Sequence, residues 1–245
     1  YTQAITHNFN DWHPPIMAGF WSILLTIKNG SDLMFFFQIL FYWSSFLILG
    51  KVLIRYSVYS IFIISFFFLA PFMQNFVGNI WKDIGLAISW LFALALIINA
   101  LLDKRKLNWL ECILTLLFLS YGAWIRTNAL PGVIPLLSLW LFAINYQDGQ
   151  NFNFQKIVPK TILLSILLII VQILITDFVL KPKKLHPEYK LFMHDLSGIY
   201  KDSGKQYYPD FLTKNPAFDT SYIRKHYIYS TFDNIWWNPE HKKII

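Results

Sequence analysis

Long apolar stretches separated by short polar loops fill the middle of the chain. Six of them lie at residues 33–49, 58–72, 85–102, 110–125, 130–144 and 161–180. Each is apolar on every face and lacks the alternation that a membrane β-strand requires. A helix needs about 20 apolar residues to cross a hydrocarbon core of about 30 Å, and a helix satisfies its backbone hydrogen bonds internally. The pattern therefore predicts six membrane-spanning helices.

A shorter apolar segment, Ile16–Ile27, precedes these stretches. Pro14 and Pro15 stand directly before it, and proline fits the first turn of a helix because the N–H groups there have no partner within the helix. At a rise of about 1.5 Å per residue, this helix is too short to cross the membrane. We therefore expect a helix at the membrane surface, where the indole rings of Trp12 and Trp21 are favoured.

The composition agrees with an integral membrane protein. Of the 245 residues, 56% are apolar, 19% are aromatic and 14% are charged, which is too apolar for a water-soluble chain of this length. The formal net charge of +7 comes from basic residues that cluster in the loops, where they set orientation and contact anionic lipid. Membrane lipid is therefore an expected partner, and nucleic acid is not.

The basic residues also predict how the chain is oriented. One set of loops carries Lys51 and Arg55, the cluster at 103–106, and Lys156 with Lys160. By the positive-inside rule these loops are cytoplasmic, which places residues 1–15, 73–83 and 126–129 outside. Six crossings place the polar tail outside as well. If Ile16–Ile27 crossed the membrane instead, the tail and its basic start would be cytoplasmic.

The expected fold is all-α, a polytopic transmembrane helical bundle with three regions. These are an outer loop with its juxtamembrane helix (1–32), the six-helix transmembrane region (33–180) and an extracytoplasmic polar tail (181–245). The tail combines tyrosines and tryptophans with prolines and charges, which indicates a small folded or membrane-resting module. Because the chain starts without Met, we expect it to be an interior piece of a longer protein.

Asp11 and His13 lie in the loop before the short helix, on the predicted outer surface. A carboxylate beside the start of an apolar helix can act as a general base or bind a cation. The alternative is structural, with Asp11 capping the helix and His13 in contact with water.

Three further charged residues, Lys82, Asp83 and Arg126, fall on the predicted outer side. Lys82 puts a cation on the side that the charge rule disfavours, and Arg126 interrupts two apolar stretches. A guanidinium binds phosphate through two parallel hydrogen bonds, so these residues indicate a phosphate-binding site. The alternatives are that Asp83 stabilises a helix N-terminus and that the Arg126 side chain extends to the membrane surface.

Patterns for other chemistry are missing. His186 and His194 have no third partner at metal-ligand spacing, so no metal site is expected, and whether a divalent cation assists as a cofactor stays open. Neither a glycine-rich phosphate loop nor a nucleophile elbow occurs in the sequence. The single cysteine, Cys112, lies in an apolar stretch and is interpreted as a packing residue.

The segment 3–15 resembles the first outer loop of bacterial GT-C type membrane glycosyltransferases, the group of the protein mannosyltransferase-like (family 39-like) enzymes and the lipid A aminoarabinose transferases. In that loop an acidic residue precedes a Pro-Pro dipeptide that leads into a juxtamembrane helix, as Asp11 precedes His13-Pro14-Pro15 here. The likeness covers most of residues 1–180. The second acidic residue of the family's loop has no counterpart in this sequence.

The resemblance implies an enzyme of the bacterial cytoplasmic (inner) membrane. Such enzymes transfer a sugar from a polyprenyl-phosphate donor to a lipid, glycan or protein acceptor on the outer face. Asp11 is then the expected catalytic residue, and the expected substrate-binding residues are His13, Lys82, Asp83 and Arg126. Two alternatives stay open. One is a transporter or flippase of lipid-linked sugars, which should show broken helices in paired positions of two halves, a pattern that the sequence does not reveal. The other is a noncatalytic membrane subunit.

Overall fold

The computed structural model of the chain describes residues 1–12, 14–147, 152–185, 188–214 and 218–230. The chain divides into two compact units, residues 1–184 and residues 185–245, which we call the helical bundle and the C-terminal unit. The prediction of an all-α fold is confirmed for the described residues, in which no strand occurs and an isolated bridge pairs Asn10 with Lys183.

The helical bundle is a succession of helices joined by short loops. In chain order they are α1 (Thr2–Thr6), α2 (Ile16–Ile27), α3 (Asp32–Leu53), α4 (Ser60–Leu69), α5 (Pro71–Val77), α6 (Lys82–Leu102), α7 (Trp109–Trp124), α8 (Leu130–Ile144) and α9 (Phe154–Leu174), which continues as a π-helical segment, Ile175–Leu180. The short helix α2 has the predicted bounds, although Pro15 stands at its N-cap instead of in its first turn. Helix α1 was not predicted.

The lengths of the helices support part of the six-span prediction. In the described residues α3, α6 and α9 with its π-helical continuation are long and apolar enough to cross a membrane, and α4 with α5 adds a fourth span if the pair counts as one. Helices α7 and α8 are apolar but have only 16 and 15 residues, fewer than the roughly 20 that a perpendicular span needs. Lengths alone therefore indicate three or four spans.

The prediction of one helix at residues 58–72 is wrong, because the chain breaks there into α4 and α5 with a bend of 53°. Ala70 has φ −54° and ψ 132°, since the ring of the following Pro71 disfavours a helical conformation in the residue before it. At the break the Tyr42 hydroxyl of α3 (2.6 Å) and Gln74 Nε2 of α5 both donate to Phe68 O. Gln38 Nε2 of α3 donates to Val77 O (2.6 Å) at the other end of α5. The Phe68 carbonyl group at the break is thus satisfied by hydrogen bonds, as apolar surroundings require.

Helix α9 begins at Phe154 and not at residue 161 as predicted, because Asn153 caps its N-terminus by accepting a hydrogen bond from Lys156 N (3.2 Å). Lys156 and Lys160, which were assigned to a loop, therefore lie in the first turns of the helix. In the apolar part of α9 that is long enough to cross a membrane, only 6% of the residues are buried, whereas 50% are buried in the corresponding part of α6. The exposed apolar surface of α9 suits contact with lipid.

Helix α6 lies at the centre of the bundle, packed against α3, α7 and α8. Its Trp90 fits between two glycines, Gly122 of α7 and Gly132 of α8. The indole Nε1 donates a hydrogen bond to Leu119 O at 3.2 Å. Small residues at these positions let three helices approach closely, as is common where helices pack in membranes.

Contacts between the ends of the helices place the loops at two ends of the bundle. At the Arg105 end, Arg105 makes two hydrogen bonds to Glu111 (2.7 and 2.8 Å), and Arg55 pairs with Asp103. At the Arg126 end, α6 begins, α7 ends, and Arg126 pairs with Asp83. The loops predicted to be cytoplasmic thus lie at the Arg105 end, and those predicted to be outside lie at the Arg126 end.

The C-terminal unit contains α10 (Glu188–Ser203), α11 (Asp210–Thr213) and α12 (Thr220–His226). Its core is formed by Met193, Tyr208, Leu212, Phe218, Ile223 and Tyr227. Inside that core the Tyr208 hydroxyl donates to the buried Ser197 Oγ at 2.9 Å. The described part of the tail is therefore a folded unit with a core of its own.

Candidate functional site

The polar loop before α2 is fixed to the bundle by aromatic and backbone contacts. The Tyr1 ring lies 5.1 Å from the Trp21 ring, and Trp21 Nε1 donates to Gly30 O (3.3 Å). Further along the loop, the Asn10 side chain accepts a hydrogen bond from Trp12 N (3.2 Å), which closes a tight turn around Asp11. The loop is therefore held in one conformation next to α2.

Asp11 lies in this turn and its side chain is partly buried. Its backbone N–H donates to Lys183 O (3.2 Å), while Lys183 N–H donates to Phe9 O (2.8 Å). These bonds join the start of the bundle to the segment that follows α9. The alternative role of Asp11 as a helix cap does not hold, because α2 has Pro15 at its N-cap and no side-chain capping bond.

Close packing of α6 against α7 sets the position of the second group of candidate residues. A methyl group at Gly85 would lie 3.3 Å from Ile125 Cδ1, so the first turn of α6 contacts the end of α7 directly. The Asp83 carboxylate and Arg126 Nη1 form an ion pair across this contact. On its other side, Arg126 Nε donates to Asn128 Oδ1 at 2.9 Å. The guanidinium is thus held from two sides.

Lys82 adds a second cation beside this pair. It is the first residue of α6, its side chain is partly buried, and its ammonium is close enough to Arg126 for their charges to repel. Asp83 lies in the first turn of the helix, where a carboxylate is favourable as the sequence alternative proposed, and it also pairs with Arg126. Lys82, Asp83 and Arg126 therefore lie close together at the Arg126 end.

Helix α2 also packs onto the Arg126 end. Phe20 contacts the Tyr121 ring of α7 with ring centres 5.6 Å apart, and a methyl group at Gly19 would lie 2.7 Å from Leu180 Cδ2. The loop with Asp11 precedes this helix, so Asp11, Lys82 and Arg126 belong to the same end of the bundle. The structure brings Lys82, Asp83 and Arg126 together as one cluster. His13 lies outside the described residues.

Two polar groups at this end were not singled out from the sequence. Asn128 orients Arg126 by accepting a hydrogen bond from its Nε. Its position two residues after the arginine could have indicated such a contact from the sequence. The Tyr121 hydroxyl is buried and has no hydrogen-bond partner within the described chain. Nothing distinguishes Tyr121 from the other 12 of the chain's 13 tyrosines, because its burial depends on how α2 packs against α7.

The arrangement offers anion binding and a carboxylate for proton transfer. Among the described residues, no group of three or more His, Cys, Asp or Glu side chains could hold a metal ion. The Arg126 end instead presents a guanidinium and an ammonium, both suited to phosphate. No protein-family model, no curated protein and no solved structure matches the chain.

Proposed function

We propose that the chain belongs to an integral membrane glycosyltransferase of GT-C type. It transfers a sugar from a polyprenyl-phosphate donor to a lipid, glycan or protein acceptor on the outer face of the bacterial cytoplasmic membrane. The observation that carries the proposal is the cluster of Lys82 and Arg126 at the end of the bundle where the Asp11 loop is also fixed.

The two cations suit the leaving group of this reaction. When the bond between the sugar and the phosphate oxygen breaks, its electron pair stays on that oxygen, and the phosphate gains negative charge. Cations that are already in position stabilise such developing charge without reorganisation. The Arg126 side chain is 32% exposed, so a phosphate can reach it from the bilayer surface.

Asp11 is the proposed general base. As the acceptor hydroxyl oxygen forms its bond to the anomeric carbon of the sugar, its proton passes to the Asp11 carboxylate. The hydrogen bonds between residues 9–11 and Lys183 keep this carboxylate on a rigid segment, which suits a group that must stay aligned with the reacting atoms. His13 is a proposed neighbour in substrate binding.

A transporter of lipid-linked sugars is a weaker proposal. Its supporting observation is the break between α4 and α5, but the Tyr42 hydroxyl and Gln74 Nε2 already donate to Phe68 O at that break. In transporters, exposed carbonyl groups of broken helices coordinate the coupling ions and the free helix N-termini bind anionic substrate groups. Broken helices also occur in pairs in such folds, whereas the described residues contain one broken helix of membrane-spanning length, α4 with α5.

The orientation of the bundle supports an outer-face site. Among the loops that join α2 to α9, those at the Arg105 end carry four cations, Arg55, Lys104, Arg105 and Lys106, and those at the Arg126 end carry two, Lys28 and Arg126. By the positive-inside rule this fits a cytoplasmic Arg105 end. The Arg126 end then faces outward. A nucleotide sugar made in the cytoplasm does not reach that side, whereas a polyprenyl-phosphate sugar does.

Sugar transfer in membranes that contain the full-length protein tests the proposal. Asp11→Asn should lower the rate of transfer from the lipid donor by a factor of about 100 or more, the usual scale for loss of a general base. The control is Asp32→Asn, which removes a carboxylate paired with Lys28 at the same end (2.6 Å) and should leave the rate unchanged. Full activity of Asp11→Asn, at equal protein level, would rule out Asp11 as the base.

A second variant separates donor binding from acceptor binding. Arg126→Ala should raise the KM for the polyprenyl-phosphate donor far more than the KM for the acceptor, because the guanidinium contacts only the donor phosphate in this proposal. Equal changes in both KM values would contradict a phosphate role for Arg126. Absence of any transfer by the unmodified protein would support the noncatalytic alternative.

A further inference from the structure

Two of the three guanidinium nitrogens of Arg126 are already engaged by side chains of the protein. A phosphate makes two parallel bonds either to Nε and Nη2 or to Nη1 and Nη2. In the structure Nε donates to Asn128 Oδ1 (2.9 Å), and Nη1 pairs with Asp83 Oδ1. A phosphate at the Nε–Nη2 edge must displace Asn128, whereas a phosphate at the Nη1–Nη2 edge shares Nη1, which carries two N–H groups, with the Asp83 carboxylate.

The two occupants of the guanidinium differ in charge. Asn128 is neutral, so it holds the arginine in place without repelling an anion. The Asp83 carboxylate is 52% exposed and stands where a phosphate oxygen would bind, which makes it a direct electrostatic competitor. Gly85 of α6 lies close to Ile125 at the end of α7, which keeps the backbones of Asp83 and Arg126 near each other, so displacement of the carboxylate needs only a rearrangement of side chains.

We propose that Asp83 is a competing counter-ion, which occupies Arg126 when no phosphate is bound and must be displaced by the phosphate group of the lipid, a diester in the sugar donor and a monoester in the spent product. This rests on the proposed function for the identity of the ligand, a polyprenyl phosphate. In that reaction the carboxylate returns to Arg126 after sugar transfer and speeds release of the spent lipid phosphate. Asp83 is therefore not a ligand of the substrate but a competitor for Arg126 that lowers the affinity of the site.

The test is direct binding of polyprenyl phosphate to the purified full chain in uncharged phosphatidylcholine nanodiscs, by calorimetry with a short-chain analogue. Asp83→Asn should bind it about threefold to tenfold more tightly than the unmodified protein, since an exposed competing charge is removed. Asp83→Glu, which keeps the charge, should retain the original affinity. Arg126→Ala should bind more weakly than any of these proteins.

Asp32→Asn is the matched control, because it removes a paired carboxylate from the first turn of another long helix at the same end. Its affinity should equal that of the unmodified protein, which excludes a general effect of net charge. Inorganic phosphate and phosphatidic acid in parallel titrations distinguish a site for any phosphate monoester from one that also needs the isoprenoid chain.

The outcomes separate this proposal from the proposed function. Unchanged or weaker binding by Asp83→Asn overturns the counter-ion role, even if sugar transfer is found, because the carboxylate would then orient Arg126 for the ligand. Tighter binding by Asp83→Asn without any sugar transfer supports the counter-ion and overturns the glycosyltransferase. Binding that does not depend on Arg126 in any variant overturns the counter-ion as well.

Discussion

The contact between Trp90 and Gly122 gives the most direct test of how the bundle is packed. A Cβ atom at Gly122 would lie 2.4 Å from Trp90 Nε1 and 2.6 Å from Trp90 Cδ1, distances that no pair of non-bonded atoms tolerates. The indole cannot turn away freely, because Gly132 lies beside its other edge, where an added Cβ atom would be 3.0 Å from Trp90 Cη2. Gly122→Ala should therefore push the indole out of place and break its hydrogen bond to Leu119 O.

The size of the effect follows from three contributions. Overpacking costs about 1–3 kcal/mol, and loss of the indole hydrogen bond costs about 1 kcal/mol. The better helix propensity of alanine returns about 1 kcal/mol. The net loss of about 1–3 kcal/mol should lower the Tm by about 2–12 °C for a chain of this size.

Thermal unfolding of the purified protein in detergent measures this loss. Gly50→Ala is the control, because a Cβ atom at Gly50 meets nothing within 4 Å, so that variant should be as stable as the unmodified protein or slightly more stable. In the double variant Gly122→Ala/Trp90→Leu, the smaller leucine side chain relieves the clash. The stability lost by this double variant should therefore be smaller than the sum of the losses of the two single variants. A Tm for Gly122→Ala equal to that of Gly50→Ala would refute the packing described for α6, α7 and α8.

Two further predictions concern the orientation of the bundle and the C-terminal unit. In a protein that carries Cys112→Ser, Ser31→Cys and Asn79→Cys should react with a membrane-impermeant maleimide in intact cells. Lys106→Cys and Gln155→Cys should react only after the cells are lysed. Equal reactivity of all four variants would contradict the assignment of the two ends to opposite sides of the membrane. In the C-terminal unit the Tyr229 hydroxyl donates to the Asp202 carboxylate, and this bond raises the pKa of Tyr229. The stabilisation that the bond provides is fully present at a pH below the ordinary pKa of tyrosine, and it is lost as the pH rises through the raised pKa of Tyr229. Asp202→Asn should bring the pKa of Tyr229 back down, measured by NMR of labelled tyrosine rings with Tyr229→Phe for assignment, and an unchanged pKa would show that the bond is not the cause.

The residues that the sequence located correctly are those whose behaviour is local. The bounds of α2 were predictable because Pro14 and Pro15 fix where a helix can begin and a polar stretch at residues 28–32 fixes where it ends. Charged residues in apolar surroundings are also visible in a sequence, so Lys82, Asp83 and Arg126 could be identified before their contacts were known. Pro71 disfavours a helical conformation at Ala70, but the continuous apolar stretch at residues 58–72 led to the prediction of one unbroken helix.

The partners of those residues were not predictable. Asp83 could be interpreted as a residue of a helix N-terminus, and the sequence alone did not show that it pairs with Arg126 of another helix. That pair exists because Gly85 lets the start of α6 touch Ile125 at the end of α7. The fixed position of Asp11 similarly depends on Lys183, at the far end of the bundle sequence.

The sequence by itself determined that the chain forms apolar helices and which charges stand at their ends, because backbone hydrogen bonding and hydrophobicity act within a single segment. Only the tertiary structure decided which charges meet, because an ion pair depends on how closely two helix backbones approach. At the Arg126 end a glycine sets that distance, and so Arg126 is held by Asp83 and Asn128 instead of extending alone into the membrane surface.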